Sequence, residues 1–302
     1  ELKGFVYLFI FNFNPSLMRT LLLSLLCLSC LISCTPKYGV VYLSNASGNF
    51  DLFLTDTKGK KTQQLSTNPG MDWSAQWDAA HEQIVYNSSD TSGTFAIRAM
   101  SRSGQPKPLN TFEQEEFVVS PDGQYALFTT RDGDNRYIQL ISRKGGEKKK
   151  LIDVAAYNGR PNWSPDSQTF SFISDRSGSN ELYLYRMDNA ATTQLTTNQL
   201  REKYTSWLPD SKTIIYTASD DPDGKRNNLY RVKIDTKKST NITNDELLYE
   251  EISVSPDGRL IVYHGKVDGA DHLFLMNIDG SGKRQLTTAK AYHGEPKWIP
   301  LR

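Results

Sequence analysis

Residues 159–197 read GRPNWSPDSQTFSFISDRSGSNELYLYRMDNAATTQLTT, which is four short strand-like segments separated by three polar turns. Segments 161–163, 169–173, 181–185 and 192–195 are rich in aromatic and β-branched residues or alternate apolar and polar side chains, as strands do. The turns at 164–167, 175–178 and 188–190 carry Pro, Asp, Asn, Ser and Gly, which favour tight turns. This stretch predicts a four-stranded antiparallel unit.

The same unit recurs along the chain at a nearly constant interval. A branched aliphatic residue closes the last strand of each copy, with steps of 44, 42, 44, 47 and 44 residues, at Leu65, Leu109, Leu151, Leu195, Ile242 and Leu286. A Pro-Asp turn follows the first strand in phase with it, at 120–123, 164–167, 208–211 and 255–258. Repeats of about 40 to 50 residues with four strands are typical of β-propeller blades.

The two ends of the array are incomplete in complementary ways. The first copy, residues 39–67, lacks its innermost strand, and residues 294–300 form an innermost strand with no blade after it. Pairing the two would remove the open sheet edges that each fragment exposes. We therefore predict an all-β fold: a single six-bladed β-propeller over residues 35–302, in which the C-terminal strand completes the first blade.

Several of these motifs have a family resemblance. The order Trp-Ser-Pro-Asp, Asp-Arg-x-Gly, Leu-Tyr, Asp-Gly and Gln-Leu-Thr is clearest at 163–196 and 254–287, and it resembles the TolB-type (PD40, WD40-like) repeat. The likeness covers roughly residues 38–302. It implies a propeller fold and partners in the Tol–Pal system of the cell envelope. We do not expect this sequence to contain the α/β domain that precedes the propeller in TolB-type proteins. The same repeats also occur in peptidases and lyases, so fold does not decide function.

The first 34 residues have the features of a targeting segment. Met18 and Arg19 are followed by an apolar run over 20–32, and Leu31-Ile32-Ser33-Cys34 resembles the lipobox of bacterial lipoproteins. We interpret residues 18–34 as a lipoprotein signal peptide with lipidation at Cys34, and residues 1–17 as translated upstream sequence. A transmembrane span over 5–33 is the alternative, although polar residues and a proline interrupt it near its middle.

The targeting segment also predicts where the protein works. All three cysteines lie in it, so the propeller is expected to have no disulfide. Position 35 is Thr and lacks the Asp that retains enteric lipoproteins in the inner membrane. We expect a monomeric periplasmic protein anchored to the outer membrane. A net charge of +1 argues against nucleic-acid binding, which needs a clustered basic face.

Candidate binding residues come from the innermost strands, which line the central channel of a propeller. Counted from the Pro of the turn, polar residues prevail five and seven positions earlier. The −5 set is Ser74, Glu116, Arg160, Tyr204, Glu251 and Glu295, and the −7 set is Asp72, Gln114, Asn158, Glu202, Tyr249 and His293. Alternation predicts that both sets crowd one mouth of the channel and make it mostly acidic, with Arg160 as the one strong cation at −5. Solvation of the channel is the alternative role.

The tryptophans divide into two kinds by repeat position. Four of them stand two residues before the Pro position, where the other blades have Val119 and Val254, and they are Trp77, Trp163, Trp207 and Trp298. A position that accepts Val or Trp is predicted to pack between blades. Trp73 lies outside this position, and it is the tryptophan that we consider for a ligand surface.

The sequence gives little support for catalysis. The Gly-x-Ser-x-Gly elbow of serine hydrolases is absent, and we expect no catalytic domain after the repeats. The four histidines are His81, His264, His272 and His293; we expect only His293 to face the channel, which disfavours a three-histidine metal site. The acidic loops 132–135 and 220–224 lack the EF-hand pattern and are interpreted as turns. We expect no cofactor.

These observations favour a non-catalytic scaffold that recognises a protein or peptide partner in the cell envelope. The alternative is a propeller enzyme, a lyase or hydrolase, that acts on a polysaccharide.

Overall fold

The computed structural model describes residues 37–109, 117–198, 200–221 and 223–301. Segments 1–17 and 18–34, with the predicted lipidation site at Cys34, lie outside the described residues. All the described strands belong to one compact unit, Tyr38–Leu301. No helix in the described ranges has the length and apolar character needed to cross a membrane.

The described residues form 24 strands in six four-stranded antiparallel sheets. The first three blades contain β1 (Tyr38–Ser44), β2 (Asp51–Asp56), β3 (Thr62–Gln64); β4 (Asp72–Asp78), β5 (Gln83–Ser89), β6 (Phe95–Met100), β7 (Pro106–Lys107); and β8 (Phe117–Val119), β9 (Tyr125–Asp132), β10 (Asn135–Ser142), β11 (Lys149–Ile152). The last three contain β12 (Asn158–Trp163), β13 (Thr169–Ser174), β14 (Glu181–Arg186), β15 (Thr192–Gln194); β16 (Arg201–Trp207), β17 (Thr213–Ser219), β18 (Asn228–Lys233), β19 (Ser239–Asn241); and β20 (Glu250–Val254), β21 (Leu260–Val267), β22 (Ala270–Asn277), β23 (Arg284–Gln285).

The final strand closes the ring. β24 (His293–Pro300) pairs antiparallel with β1, so the first sheet has the order β24-β1-β2-β3. The register runs from Tyr38 opposite Pro300 to Ser44 opposite His293. The predicted six-bladed propeller, with its C-terminal strand in the first blade, is confirmed.

The core of the described residues consists of six apolar clusters, each shared between two neighbouring sheets. Trp163, Trp207 and Trp298 are each buried in such a cluster. Their indole N–H groups donate across the blade boundary to backbone carbonyls of the preceding blade. The prediction that this repeat position packs between blades agrees with what is observed at these three residues.

Candidate binding site at the channel mouth

A β-bulge lies near the −5 position in each innermost strand for which the structure describes that position, which are β4, β12, β16, β20 and β24. In β12, for example, Arg160 and Pro161 together oppose Phe172 alone, because Gly159 pairs with Ile173 and Asn162 with Ser171. In four blades the −5 residue has a left-handed backbone, with φ between 49° and 54°, at Ser74, Arg160, Glu251 and Glu295. An extra residue in a strand shifts the alternation of all residues before it.

A cavity of about 490 Å³ lies where the innermost strands of all six blades converge. The described members of the −5 set all line it: Ser74, Arg160, Tyr204, Glu251 and Glu295. Glu116, the remaining member of the −5 set, lies outside the described residues. Residues at −3 and −4 complete most of the wall, among them Gln76, Asn162 and Lys297.

The −7 set occupies a different place from the one that alternation predicts. Asp72, Glu202 and His293 do not line the cavity; they are 1%, 0% and 2% exposed and are buried in the blades. The bulge is the physical reason, because it inverts the side-chain alternation between −5 and −7. Trp73 is half-buried opposite Asn87 in β5 and does not line the cavity either.

Two carboxylates of the cavity also hold the bulges in place. An Oε2 atom of Glu251 accepts a hydrogen bond from the backbone N–H of Glu295 at 2.7 Å. Glu295 in turn accepts one from the backbone N–H of Ser74 at 2.6 Å. Each side chain thereby contacts the −5 residue of the next blade. Two of the carboxylates that the sequence predicts for this mouth therefore accept hydrogen bonds from the protein's own backbone.

On the opposite side of the ring, cationic and aromatic side chains pack together. The Arg160 guanidinium lies 4.2 Å from the ring centroid of Tyr204, and Arg136 lies 5.3 Å from that of Tyr157. Burial lowers the pKa of Arg160, but the neighbouring Tyr204 and Tyr157 outweigh burial and raise it. Burial also raises the pKa of Tyr204. At neutral pH, Arg160 is therefore cationic and Tyr204 is neutral, as these groups ordinarily are.

Lys297 also lines the cavity, and it adds a basic group to a mouth that the sequence predicts to be mostly acidic. Burial lowers the pKa of Lys297, and this effect exceeds the opposing influence of Glu295 and Glu251. Among the described lining residues, the basic ones are Arg136, Arg160 and Lys297, and the acidic ones are Glu251 and Glu295. The described wall is thus mixed in charge, and the expected acidic mouth is not observed there.

Two of the basic residues were missed by sequence reasoning, for different reasons. Lys297 stands at −3, which strict alternation places on the same face of the strand as −5, so the signal was present. Arg136 lies in β10, the third strand of its blade, and reaches the cavity from outside the innermost layer. No repeat position of the innermost strands could have indicated it.

Side chains at −3 connect adjacent blades beside the cavity. The Gln76 amide donates to the carbonyl of Phe117 at 2.8 Å and accepts from the backbone N–H of Val119 at 2.7 Å. Asn162 donates to the carbonyl of Thr205 at 2.7 Å. These contacts give the cavity a wall that is held by hydrogen bonds, which favours the binding of a partner to a preformed surface.

The histidines do not assemble around the channel. His264, His272 and His293 are all buried, and the rings of His272 and His293 are stacked 5.7 Å apart. His293 was expected to face the channel, but the shifted alternation places it between blades. In the part of the chain that the structure describes, no group of three or more His, Cys, Asp or Glu side chains is arranged to hold a metal ion.

Comparison with known proteins agrees with this architecture. The Tol-Pal system protein TolB of Wolinella succinogenes is 26% identical over 150 residues, which are 46% of this chain and 34% of that protein. The chain thus matches about a third of the length of this curated relative.

Solved structures show the same fold at lower identity. The crystal structure of TolB from Acinetobacter baumannii superposes with a TM-score of 0.72 and 23% identity, covering 88% of this chain and 67% of that one. Oligogalacturonate lyase from Vibrio parahaemolyticus superposes with a TM-score of 0.54 and 13% identity, covering 82% and 73%. Residues 116–302 match the family model of the TolB beta propeller domain, PD40. Since this match covers more than half of the chain, the protein belongs to the TolB β-propeller domain family.

Proposed function

We propose that this protein is a non-catalytic, monomeric binding scaffold of the bacterial cell envelope, and that a segment of a protein or peptide partner binds in the mouth of its central channel. The observation that carries the proposal is the cavity of about 490 Å³ to which all six innermost strands contribute. Its basic and acidic side chains can pair with the charged groups of a peptide, and its aromatic rings can pack against apolar ones. Similarity to a Tol-Pal system protein supports a protein partner in the envelope.

A photo-crosslinking experiment tests this role. A photoreactive amino acid replaces Val118 in the cavity wall, or Lys149 on the exposed outer strand β11, and the protein is irradiated in the cell envelope. We expect a discrete protein adduct from position 118 and none from position 149. The adduct should be lost when Lys297→Glu reverses a cavity charge, and it should persist in the matched surface variant Lys149→Glu.

Adducts from position 149 alone, or an unchanged adduct in Lys297→Glu, would move the site away from the channel. Circular dichroism of each variant verifies that the propeller is folded.

The alternative function, a polysaccharide lyase or hydrolase, is favoured by the likeness to oligogalacturonate lyase. A depolymerisation screen with pectic and envelope glycans tests it in parallel, and release of products by the purified protein would replace the scaffold role with an enzymatic one.

The proposed location is the periplasmic side of the outer membrane, with a lipid anchor on Cys34. The lipobox-like segment 31–34 supports it. Cys34→Ala should release the protein from the membrane fraction into the soluble fraction, and an unchanged membrane fraction would contradict the anchor.

A further inference from the structure

Two buried carboxyl groups face each other between the fourth and fifth blades. Glu181 begins β14 and is 3% exposed, and Glu202 lies in β16 and is 0% exposed. The backbone N–H of Glu202 donates to the carbonyl of Asn180 at 3.2 Å, which holds the two strands together at this point. The pair therefore lies in the contact between two blades and not in the cavity.

These carboxyl groups have few partners of their own. Glu181 accepts a hydrogen bond from the Ser179 hydroxyl at 3.0 Å, whereas its second oxygen and both oxygens of Glu202 have no partner in hydrogen-bond geometry among the described residues. Within the described ranges neither group forms an ion pair with a Lys, Arg or His side chain. Two buried carboxylates without a counter-ion repel each other strongly, so they cannot both be ionised at low cost.

None of the other described titratable groups around Glu202 is a cation that could offset its negative charge. Glu181 faces it from β14, Tyr216 from β17 and Tyr230 from β18. Burial, followed by repulsion from Glu181, raises the pKa of Glu202 to about 8. Thr196 and Asn198 lie close enough to oppose this rise in pKa without reversing it.

Equivalent positions at two other blade contacts carry related pairs. Asp51 and Asp72 occupy them between the first and second blades, and His272 and His293 between the sixth and first. Asp51 differs from Glu181 because Ser47, Gln64 and Ser66 all donate hydrogen bonds to it. Of these two acidic pairs, the glutamate pair thus has fewer hydrogen bonds that offset its negative charge.

The pair is directly connected to the channel mouth. Glu202 and Tyr204 both lie in β16, two residues apart. The Arg160 guanidinium of the fourth blade packs over the ring of Tyr204. Asn162 of the same blade donates to the carbonyl of Thr205. A change in the spacing of β14 and β16 would therefore move the two sides of the Arg160–Tyr204 contact relative to each other.

We propose that Glu181 and Glu202 form a pH-sensitive contact, here called the seam, between the fourth and fifth blades: Glu202 keeps its proton near neutral pH, and loss of that proton in alkaline solution loosens the seam and the adjoining channel mouth. The seam goes beyond the binding role proposed above, and its test needs no partner.

Carboxyl ¹³C NMR of the full chain, labelled at glutamate, tests directly whether Glu202 keeps its proton. We expect one glutamate to titrate with a midpoint near pH 8, and to shift to lower pH in Glu181→Gln because the like charge is removed. The resonance is assigned by its loss in Glu202→Gln. Midpoints below about pH 6 for every glutamate of the unmutated protein would overturn the proposal, since the ordinary pKa of Glu is about 4.3.

Hydrogen exchange tests the loosening. After correction for the intrinsic pH dependence of exchange, peptides covering β16 should lose protection between pH 6.5 and pH 9, while those covering β4 should not. Glu202→Gln should abolish this difference, and the exposed matched variant Glu246→Gln should keep it. Equal protection of β16 at both pH values in the unmutated protein would show that the seam does not respond, whatever the channel binds.

Discussion

Replacing Trp163 by Phe isolates one bond between blades. The Trp163 indole is 5% exposed, contacts Phe170 edge-on at 5.7 Å, and donates from Nε1 to the carbonyl of Val118 at 3.1 Å. Phenylalanine keeps an aromatic ring in the cluster but removes the donor. Removing the donor to this part-buried carbonyl costs about 1 to 2 kcal/mol. The smaller ring buries roughly 40 Å² less apolar surface, which costs about 1 kcal/mol more.

We therefore expect Trp163→Phe to lower the free energy of unfolding by about 2 to 3 kcal/mol, and Trp163→Ala by about 3 to 5 kcal/mol. Urea denaturation followed by far-UV circular dichroism measures both without using tryptophan fluorescence. Trp77→Phe is the matched control, because Trp77 has the same repeat position but is half-buried, and no hydrogen bond from its indole occurs among the described residues.

The control should lose less than about 1 kcal/mol, since Phe keeps most of a half-exposed ring's contacts. Equal losses in Trp163→Phe and Trp77→Phe would refute the reasoning. Ring size would then explain the result, and the bond to the preceding blade would contribute nothing measurable.

Other changes test contacts elsewhere in the ring. Arg143 and Asp78 form an ion pair at 2.7 Å with side chains 10% and 0% exposed, so Arg143→Met should cost about 3 to 5 kcal/mol in urea denaturation; a loss below about 1 kcal/mol would contradict this. Burial raises the pKa of Asp78, but hydrogen bonds, including one from Arg143, outweigh it and hold the pKa below its usual value. The stabilisation is therefore present above about pH 4 and lost as the pH falls further, and Asp78→Asn should remove that part of the acid dependence of stability. Gly59 has a φ of 68°, and a Cβ there would lie 2.3 Å from the Leu286 carbonyl oxygen. Gly59→Ala should cost about 2 kcal/mol more than Gly133→Ala, which has a φ of 59° and open space around it; equal costs would show that backbone strain alone matters.

The repeat pattern was sufficient to predict the fold because each blade is specified locally. Pro-Asp turns and alternating strands recur in phase, and the missing innermost strand of the first blade is supplied by residues 294–300, as the β1–β24 pairing shows. The packing role of Trp163, Trp207 and Trp298 was also accessible, because a position that holds Val in some blades and Trp in others needs apolar volume. The hydrogen bonds of their indole N–H groups could not be predicted from that pattern.

The site was less accessible because it depends on a backbone irregularity. A bulge adds one residue to a strand without an obvious sequence signal, and at Ser74, Arg160, Glu251 and Glu295 it is formed by non-glycine residues with positive φ. The −5 positions were placed at the channel, whereas Glu202 and His293 were assigned to the wrong side of the bulge. Arg136 enters the cavity from β10, and only three-dimensional proximity reveals it.

The closing pair β1 and β24 has a consequence for how the chain folds. These two strands are the first and last of the repeat array, so their contact has nearly the largest sequence separation that the propeller allows. Non-local pairing of this kind slows folding, since the entropy of closing the loop is lost before the contact is gained. During synthesis, β1 must wait with one edge unpaired until β24 has been made. The first blade is therefore expected to be the last to form, and its exposed edge to be the segment most in need of protection from aggregation before the ring closes.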